Sequence, residues 1–314
     1  MREPTGDQYQ LTHETPNGTL RAVITQVAAG IRQLTLDGVD LTEPFPADTT
    51  PPSGDGIVLV PWPNRVKDGR WTPVAGGAEQ QLALTEPAKG NAIHGLLRYA
   101  PYALVACDAH SVTQSATIYP QLGYPFLLDV TVRHELNDDG LVVSIAIANV
   151  GDGSAPVAAG AHPYLKIGGV PTGTLTLRVA ADTHLISDER GNVTGSQPVE
   201  GTRYDLRAGR LVGELDIDDG FADVRVVDGI VEHAVTAPDG RTVALWGDAN
   251  MRYVQAFTHR SFATLAAGEV AVAVEPMTAP ANALNTGEGL HRLEPGQSWS
   301  VRWGIRPVGF GAGA

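Results

Sequence analysis

Two residues in this chain have the types and settings that acid–base chemistry requires. His162 precedes Pro163, and the proline restricts the backbone at both positions, so the imidazole would be held in place. Histidine is the side chain whose ordinary pKa lies nearest neutral pH, which suits a general acid. Glu275 closes the apolar run AVAVEP, where alternation puts it on the face opposite Val272 and Val274. A carboxylate there is costly to bury unless it has a partner or a task.

Two further segments supply groups that could hold a polyol. His94 is followed by Gly95, which lets the backbone turn and a ligand approach. Arg65 follows Asn64 in the segment PWPNRVKDGRW, which ends at Trp71. Arginine offers several fixed donors to sugar hydroxyls, and an indole offers a flat apolar surface to a pyranose. Taken singly, each of these residues is also explained by an ordinary structural role.

Composition limits the classes of partner. The chain has 314 residues, 43% of them hydrophobic, and a net charge of −13. That charge argues against nucleic acid or an anionic membrane surface, because both demand clustered lysine and arginine. It is compatible with a neutral small molecule.

The N-terminal segment bears on the location of the protein in the cell, and the single cysteine bears on its core. MREPTGDQYQLTHE has no apolar stretch behind its arginine, and no apolar run approaches the roughly 20 residues needed to cross a bilayer. We therefore expect a cytoplasmic protein. Cys107 is the single cysteine, so an internal disulfide is excluded, and its place in the apolar run ALVAC predicts a small core residue.

Short runs with a period of two dominate the chain and predict strands. In LLDVTVRHEL, Leu128, Val130, Val132 and His134 fall on one face. NDDG and APDG resemble hairpin turns between such runs. Helical periodicity is scarce, and the stretch 262–268 is at most one or two turns long. The pattern predicts one large antiparallel β domain, a sandwich or a barrel.

Polar, aromatic or Pro- and Gly-rich segments interrupt this pattern, and we expect them to be loops that carry the binding chemistry. Besides the segment around Arg65, they are NAIHGLLR (91–98), AGAHPYLKIGG (159–169) and the stretch 272–289, which begins as a strand and leaves it at Pro276.

The ordered combination of motifs is more specific than any one of them. The series NRV…GRW, NAIHG, AHPY, EPMTAPANALN and LEPGQSW closely resembles the aldose 1-epimerase (galactose mutarotase) family over about residues 20–308. The resemblance implies an all-β fold, a large antiparallel β-sandwich (supersandwich) of the galactose mutarotase type, with a single domain over residues 1–314. It also implies interconversion of the α and β anomers of a free aldohexose.

The resemblance assigns catalytic roles by position. His162 matches the general acid toward the ring oxygen, and Glu275 matches the general base toward the anomeric hydroxyl. His94 matches a second histidine near the reacting oxygens. We expect His162 to remain charged beside Glu275, because an adjacent carboxylate favours the imidazolium.

The resemblance and the local chemistry together name five substrate-binding residues. Arg65 and Asn64 match groups that bind sugar hydroxyls, and Asp218, three residues before Phe221, matches an acidic residue of the pocket. Asp219 and Asp223 remain alternatives to Asp218. The other two predicted contacts are Trp71 and Tyr164.

The predicted partner is a small sugar of the glucose or galactose class, with no cofactor and no resident metal, bound by a monomer or homodimer. Two alternatives from other classes remain open: a non-catalytic carbohydrate-binding protein, and a metal site, since two histidines and a glutamate can bind zinc or iron. A hexose-6-phosphate mutarotase is a third, and its phosphate would need a cationic cluster. The possible contributors are Arg65, Lys67, Arg70 and Arg98.

Overall fold

The computed structural model describes residues 2–73 and 76–311. Its regular secondary structure consists almost entirely of short antiparallel strands. The strands are β1 (Gln8–Thr15), β2 (Gly18–Thr25), β3 (Ile31–Leu36), β4 (Val39–Asp40), β5 (Val58–Leu59), β6 (Arg65–Lys67), β7 (Arg70–Trp71), β8 (Gln80–Gln81), β9 (Asn91–Ile93), β10 (Ala103–Cys107), β11 (Ser111–Ile118), β12 (Leu128–Asn137), β13 (Gly140–Asn149), β14 (Ala155–Val157), β15 (Gly160–Ala161), β16 (Tyr164–Leu165), β17 (Thr176–Arg178), β18 (Ala181–Ser187), β19 (Val193–Pro198), β20 (Arg210–Leu211), β21 (Asp218–Val224), β22 (Ile230–Thr236), β23 (Thr242–Asp248), β24 (Tyr253–His259), β25 (Ala271–Met277), β26 (His291–Leu293) and β27 (Ser298–Val308). The helical turns are α1 (Ala283–Thr286) and the 3₁₀ turns Pro52–Gly54, Thr172–Thr174 and Val212–Glu214.

Two large sheets form the body of the protein. One has the order β10-β11-β12-β13-β27-β23-β22-β17-β20, and the other has the order β19-β18-β21-β24-β25-β15-β5 with β16 also paired to β25. A four-stranded sheet, β1-β2-β3-β4, adds to them. One continuous apolar cluster takes side chains from all three sheets. The predicted all-β antiparallel sandwich is confirmed.

The alternation in β12 and β13 explains the centre of the nine-stranded sheet. Leu128, Val130, Val132 and His134 are each 0% exposed, while the residues between them are not buried. NDDG closes the β12–β13 hairpin, and Gly140 has φ 138°. A Cβ at this glycine would lie 2.1 Å from the carbonyl oxygen of Ile305, so no larger residue fits.

In the eight-stranded sheet, successive side chains also alternate between the apolar core and the opposite face, which carries the site. On β24 and β25, Val254, Ala256, Val272 and Val274 join the apolar core. The intervening side chains point to the opposite face, as predicted for Glu275. We call this second face the site face; its members on the two strands are Tyr253, Gln255, Phe257, His259, Ala271, Ala273, Glu275 and Met277.

One local prediction is corrected. Cys107 is exposed, because β10 is the edge strand of the nine-stranded sheet and all its residues are exposed. Residues 262–268 form turns, which stays within the expected limit of one or two turns, and the α-helical turn lies at Ala283–Thr286. Within the described ranges, no helix has the length and apolar character needed to cross a bilayer.

Candidate active site

His162 and Glu275 meet on the site face. Gly160 pairs with Met277 and Tyr164 pairs with Ala273, so His162, midway between the first pair and the second, lies opposite Glu275. The Nε2 atom of His162 is 3.4 Å from Oε1 of Glu275. The two residues are 5% and 3% exposed. Within the described structure, His162 Nδ1 and Glu275 Oε2 have no hydrogen-bond partner.

His94 completes the cluster from a strained loop position. Its φ is 63° and that of Asn64 is 56°, a region that costs non-glycine residues of order 1–3 kcal/mol each. The two residues hold each other: His94 N–H donates to Asn64 O at 2.9 Å, and Asn64 N–H donates to His94 Nδ1 at 3.3 Å. Because Nδ1 accepts, a neutral His94 carries its proton on Nε2. Its ring lies 5.4 Å from that of His162, edge to face.

The three residues are also close enough to share an ion. One potential ligand atom from each of His94, His162 and Glu275 lies within 4.8 Å of the others. Two imidazoles and a carboxylate are a donor set that zinc or iron accepts. The metal alternative therefore has a geometric basis, although the sequence spacings match no compact ligand motif.

A hydrogen-bonded polar wall stands beside this cluster. Asn64 Nδ2 donates to Gln255 Oε1 at 3.0 Å, and Gln255 Nε2 donates to Asp218 Oδ1 at 2.7 Å. Arg65 donates to Glu86 through Nε and Nη2 at 2.9 and 3.1 Å, and to Asp218 Oδ2 at 3.3 Å. The wall is thus pre-organised, and it offers both donors and acceptors to a polyol.

The structure separates the three candidate aspartates. Asp218 lies in the polar wall, where Lys89 Nζ is also 3.5 Å from its Oδ2. Asp219 points the other way and bonds His184 Nε2 at 2.7 Å. Asp223 accepts a hydrogen bond from Thr183 Oγ1 at 2.5 Å. Of the three candidates, Asp218 is therefore the aspartate that belongs to the polar wall.

Two predicted substrate contacts do not fit their positions. Trp71 is 1% exposed in the apolar core, and its Nε1 donates to the Gly123 carbonyl at 2.8 Å, so no open indole face is left for a pyranose. Tyr164 is 0% exposed and stacks on His162 with 5.2 Å between ring centroids. It lies beneath the histidine and orients it.

Sequence reasoning missed Glu86 and Gln255. Gln255 had a usable signal, since a polar residue interrupts the apolar run YVQAF of β24. Glu86 lies in the loop sequence TEPAKG, which shows no pattern, and only the fold brings it to Arg65.

Burial controls the charges in the cluster. Burial, and next the charge of Asp218, raise the pKa of Glu275 well above its ordinary value, while Arg65 opposes them. Burial lowers the pKa of His162 to about 4. Burial and the adjacent His162 lower the pKa of His94 well below its ordinary value. The expectation of a charged His162 in the free site is thus corrected, because the desolvation of its imidazole outweighs the attraction of Asp218.

Comparisons with known proteins agree with the fold. The aldose 1-epimerase family profile matches residues 7–306. The chain is 32% identical over 282 residues to the uncharacterised protein YihR of Escherichia coli K12, covering 89% of this chain and 88% of that one. The chain belongs to the aldose 1-epimerase family, as its motifs predict.

Solved structures show the same fold. The GalM/aldose epimerase homologue from C. elegans is 18% identical with a TM-score of 0.81, covering 96% of this chain and 99% of that chain. A galactose mutarotase-like protein from Clostridium acetobutylicum is 18% identical with a TM-score of 0.80 and the same coverage. The predicted sandwich of the galactose mutarotase type is confirmed.

Proposed function

We propose that this protein is an aldose 1-epimerase that interconverts the anomers of a free aldohexose by opening and reclosing its ring. The observation that carries the proposal is the buried contact between His162 and Glu275, 3.4 Å apart beside a wall of sugar-type hydrogen-bonding groups. A binding protein has no need to bury an acid and a base in contact, because each costs desolvation energy.

The chemistry needs two proton transfers and no other reactant. Glu275 takes the proton of the C1 hydroxyl as His162, in its imidazolium form, gives a proton to the ring oxygen. The C1–O5 bond breaks, its electron pair stays on O5, and C1 becomes an aldehyde carbon. After rotation about C1–C2, O5 attacks the other face of C1 and both protons return.

The pair needs only one proton in total. With that proton on His162 the pair is ready to open the ring, and with it on Glu275 the pair is ready to close it. In the free site, burial favours the arrangement with the proton on Glu275, because both side chains are then neutral. The neutral arrangement is also the one that accompanies the open-chain sugar. Transfer of the proton between His162 Nε2 and Glu275 Oε1, which lie 3.4 Å apart, would connect the two forms.

The charges around the cluster favour a neutral sugar over a phosphosugar. Arg65 is already paired with Glu86 and Asp218, and Arg70 lies 3.7 Å from Glu79. Arg98 donates to the Thr85 carbonyl at 3.0 Å. Carboxylates thus pair with Arg65 and Arg70, two of the four cations that could serve a phosphate, and these carboxylates would repel it.

An anomer-exchange measurement tests this function. Starting from pure α-D-glucose or α-D-galactose, we expect the protein to accelerate the approach to the anomeric equilibrium, followed by polarimetry or exchange NMR. Glucose 6-phosphate should be accelerated less. Sugar binding without acceleration would contradict the proposal and favour a carbohydrate-binding protein. Loss of the rate with a chelator and recovery with zinc or iron would favour the metal alternative.

A further inference from the structure

A third histidine lies on the site face, outside the cluster described above. His259 pairs with Ala271 at the end of β24 and is half-buried. Tyr164 links it to His162, because the centroid of the Tyr164 ring is 5.2 Å from that of His162 and 6.5 Å from that of His259. A change at His259 can therefore reach His162 through a single side chain.

His259 forms a hydrogen-bonded pair with Ser53. Its Nε2 atom is 2.8 Å from Ser53 Oγ, and the Ser261 N–H donates to its Nδ1 atom at 3.1 Å. Because Nδ1 accepts, the neutral ring carries its proton on Nε2 and donates it to the serine oxygen. Burial lowers the pKa of His259, which keeps the ring neutral at neutral pH. Ser53 thus keeps its own proton, so the pair lacks the base that a nucleophilic serine needs.

Tyr164 is the group that the Ser53 hydroxyl can serve. The phenol oxygen is buried and has no hydrogen-bond partner in the described part of the chain. Burial and then Glu275 raise the pKa of Tyr164, and the Ser53 hydroxyl opposes them, so this hydroxyl lies beside the phenol. With the His259 proton on its oxygen, Ser53 is free to donate its own proton to Tyr164. A small rotation of the serine side chain would complete the series His259, Ser53, Tyr164.

The loop that carries Ser53 packs directly against His162. The Gly56 N–H donates to the His162 carbonyl at 2.9 Å, and an added Cβ at Gly54 would lie 3.8 Å from His162 Cδ2. Ser53 itself has φ 51°, a region that strains a residue with a side chain. Such strain persists where surrounding contacts hold the conformation, and the bond to His259 is a contact that fixes Ser53 here.

The His162 ring needs support because no hydrogen bond fixes its second nitrogen. A functional histidine is usually oriented by a hydrogen bond at the nitrogen that does not react, but His162 Nδ1 has no partner among the described residues. The ring is stacked on Tyr164 instead. The distance from Nε2 to Glu275 Oε1 is already 3.4 Å, so a small tilt takes the two atoms out of hydrogen-bonding reach.

We propose that Ser53 and His259 are positioning residues, which hold Tyr164 and thereby keep the His162 imidazole directed at Glu275. In this role neither residue touches the sugar, so their loss slows proton transfer more than it weakens binding. Their effect on the rate rests on the proposed function, whereas their effect on the His162 ring does not.

Three variants test the pair. Ser53→Gly removes the hydroxyl and suits the φ of 51°. His259→Leu removes the donor, and His259→Gln restores a side-chain N–H. His13→Leu is the matched control, because His13 is also half-buried and bonded through Nε2, to Asp138 at 2.8 Å, but belongs to β1.

The first readout is kcat and KM, measured by polarimetry with glucose and galactose. For a sugar that the wild-type protein accelerates, we expect Ser53→Gly and His259→Leu each to lower kcat by about tenfold, with a much smaller change in KM. His259→Gln should recover most of the lost rate, and His13→Leu should match wild type.

The second readout is nitrogen-15 NMR of the histidine side chains, which reports the ring independently of catalysis. The variant His162→Asn identifies the His162 signals by their loss. We expect these signals to shift in Ser53→Gly and His259→Leu but not in His13→Leu. If the wild-type protein accelerates no sugar but the signals still shift in this way, the proposed function fails and the positioning role stands. Unchanged His162 signals, wild-type kcat in both variants of an active enzyme, or a rate that His259→Gln does not recover would each overturn the positioning role.

Discussion

At the scale of single residues, desolvation decides what the buried pair can do. In water near neutral pH, Glu275 would be charged and His162 would be charged in part, but burial makes both charges costly. The pair therefore holds one proton, which either residue can carry. Its titration belongs to the pair and not to one residue.

The pH dependence of the rate follows from this shared proton. A second proton would leave an imidazolium beside a carboxylic acid, with no base for the C1 hydroxyl, so the rate should fall as the pH approaches about 4. Loss of the shared proton removes the acid, so an alkaline limb should lie above the ordinary carboxylate range. The measurement is kcat/KM by polarimetry across the pH range in which the protein is folded. An acid limb near about 6.5, the ordinary value for histidine, would contradict the shared proton.

Arg65 should matter for binding more than for the proton transfers. Lysine cannot reproduce the two-pronged bond to Glu86 and the contact to Asp218. We expect Arg65→Lys to raise KM by about tenfold or more with a smaller effect on kcat. Arg70→Lys, at an exposed arginine near the same loop, is the control. Equal KM values for the two variants would show that the polar wall does not contact the sugar.

At the scale of elements, two strands of the nine-stranded sheet bury neutral histidines. His134 in β12 and His233 in β22 are 0% and 1% exposed, and burial lowers the pKa of each to about 3. In the unfolded chain the same groups take up a proton near pH 6.5. The stability present above about pH 6.5 is therefore lost progressively as the pH falls toward about 3.

This linkage predicts a measurable loss of stability. Between about pH 6.5 and about pH 5, each histidine should cost roughly 2 kcal/mol of unfolding free energy. Urea unfolding at about pH 7 and about pH 5 measures it, and His134→Leu should reduce the difference. The same urea midpoint for wild type at both pH values would be inconsistent with neutral buried histidines.

Local sequence patterns predicted the strands correctly where apolar side chains alternate regularly between the core and the opposite face. Leu128, Val130 and Val132 alternate inward as expected, and NDDG forms the predicted hairpin. The prediction for Cys107 was wrong because an apolar run does not reveal that its strand lies at a sheet edge. Whether a strand lies at a sheet edge depends on the order of the strands, and a short stretch of sequence does not reveal that order.

At the scale of the whole molecule, the site depends on register between distant segments. His162 and Glu275 are more than a hundred residues apart in sequence, and they meet only because β15 and β16 pair with β25. The residue types and motif order predicted that these groups act together. They could not predict that Trp71 is buried in the core or that Glu86 reaches Arg65.

The continuous core predicts cooperative unfolding. Side chains from both large sheets and from β1–β4 belong to one apolar cluster, which also contains Trp62, Trp71 and Trp303. We expect tryptophan fluorescence and far-ultraviolet circular dichroism to report one coincident urea transition. Two separated transitions would show that the chain is divided into independent domains.

The most direct test of the account is the rate of anomer exchange in Glu275→Gln, His162→Asn and the double variant. Each single change should lower kcat by about 10²–10⁴ in protein that still unfolds like wild type. Because the two groups act as one unit, the double variant should be little slower than the slower single variant. Wild-type rates in either single variant would contradict the claim that this pair opens the sugar ring.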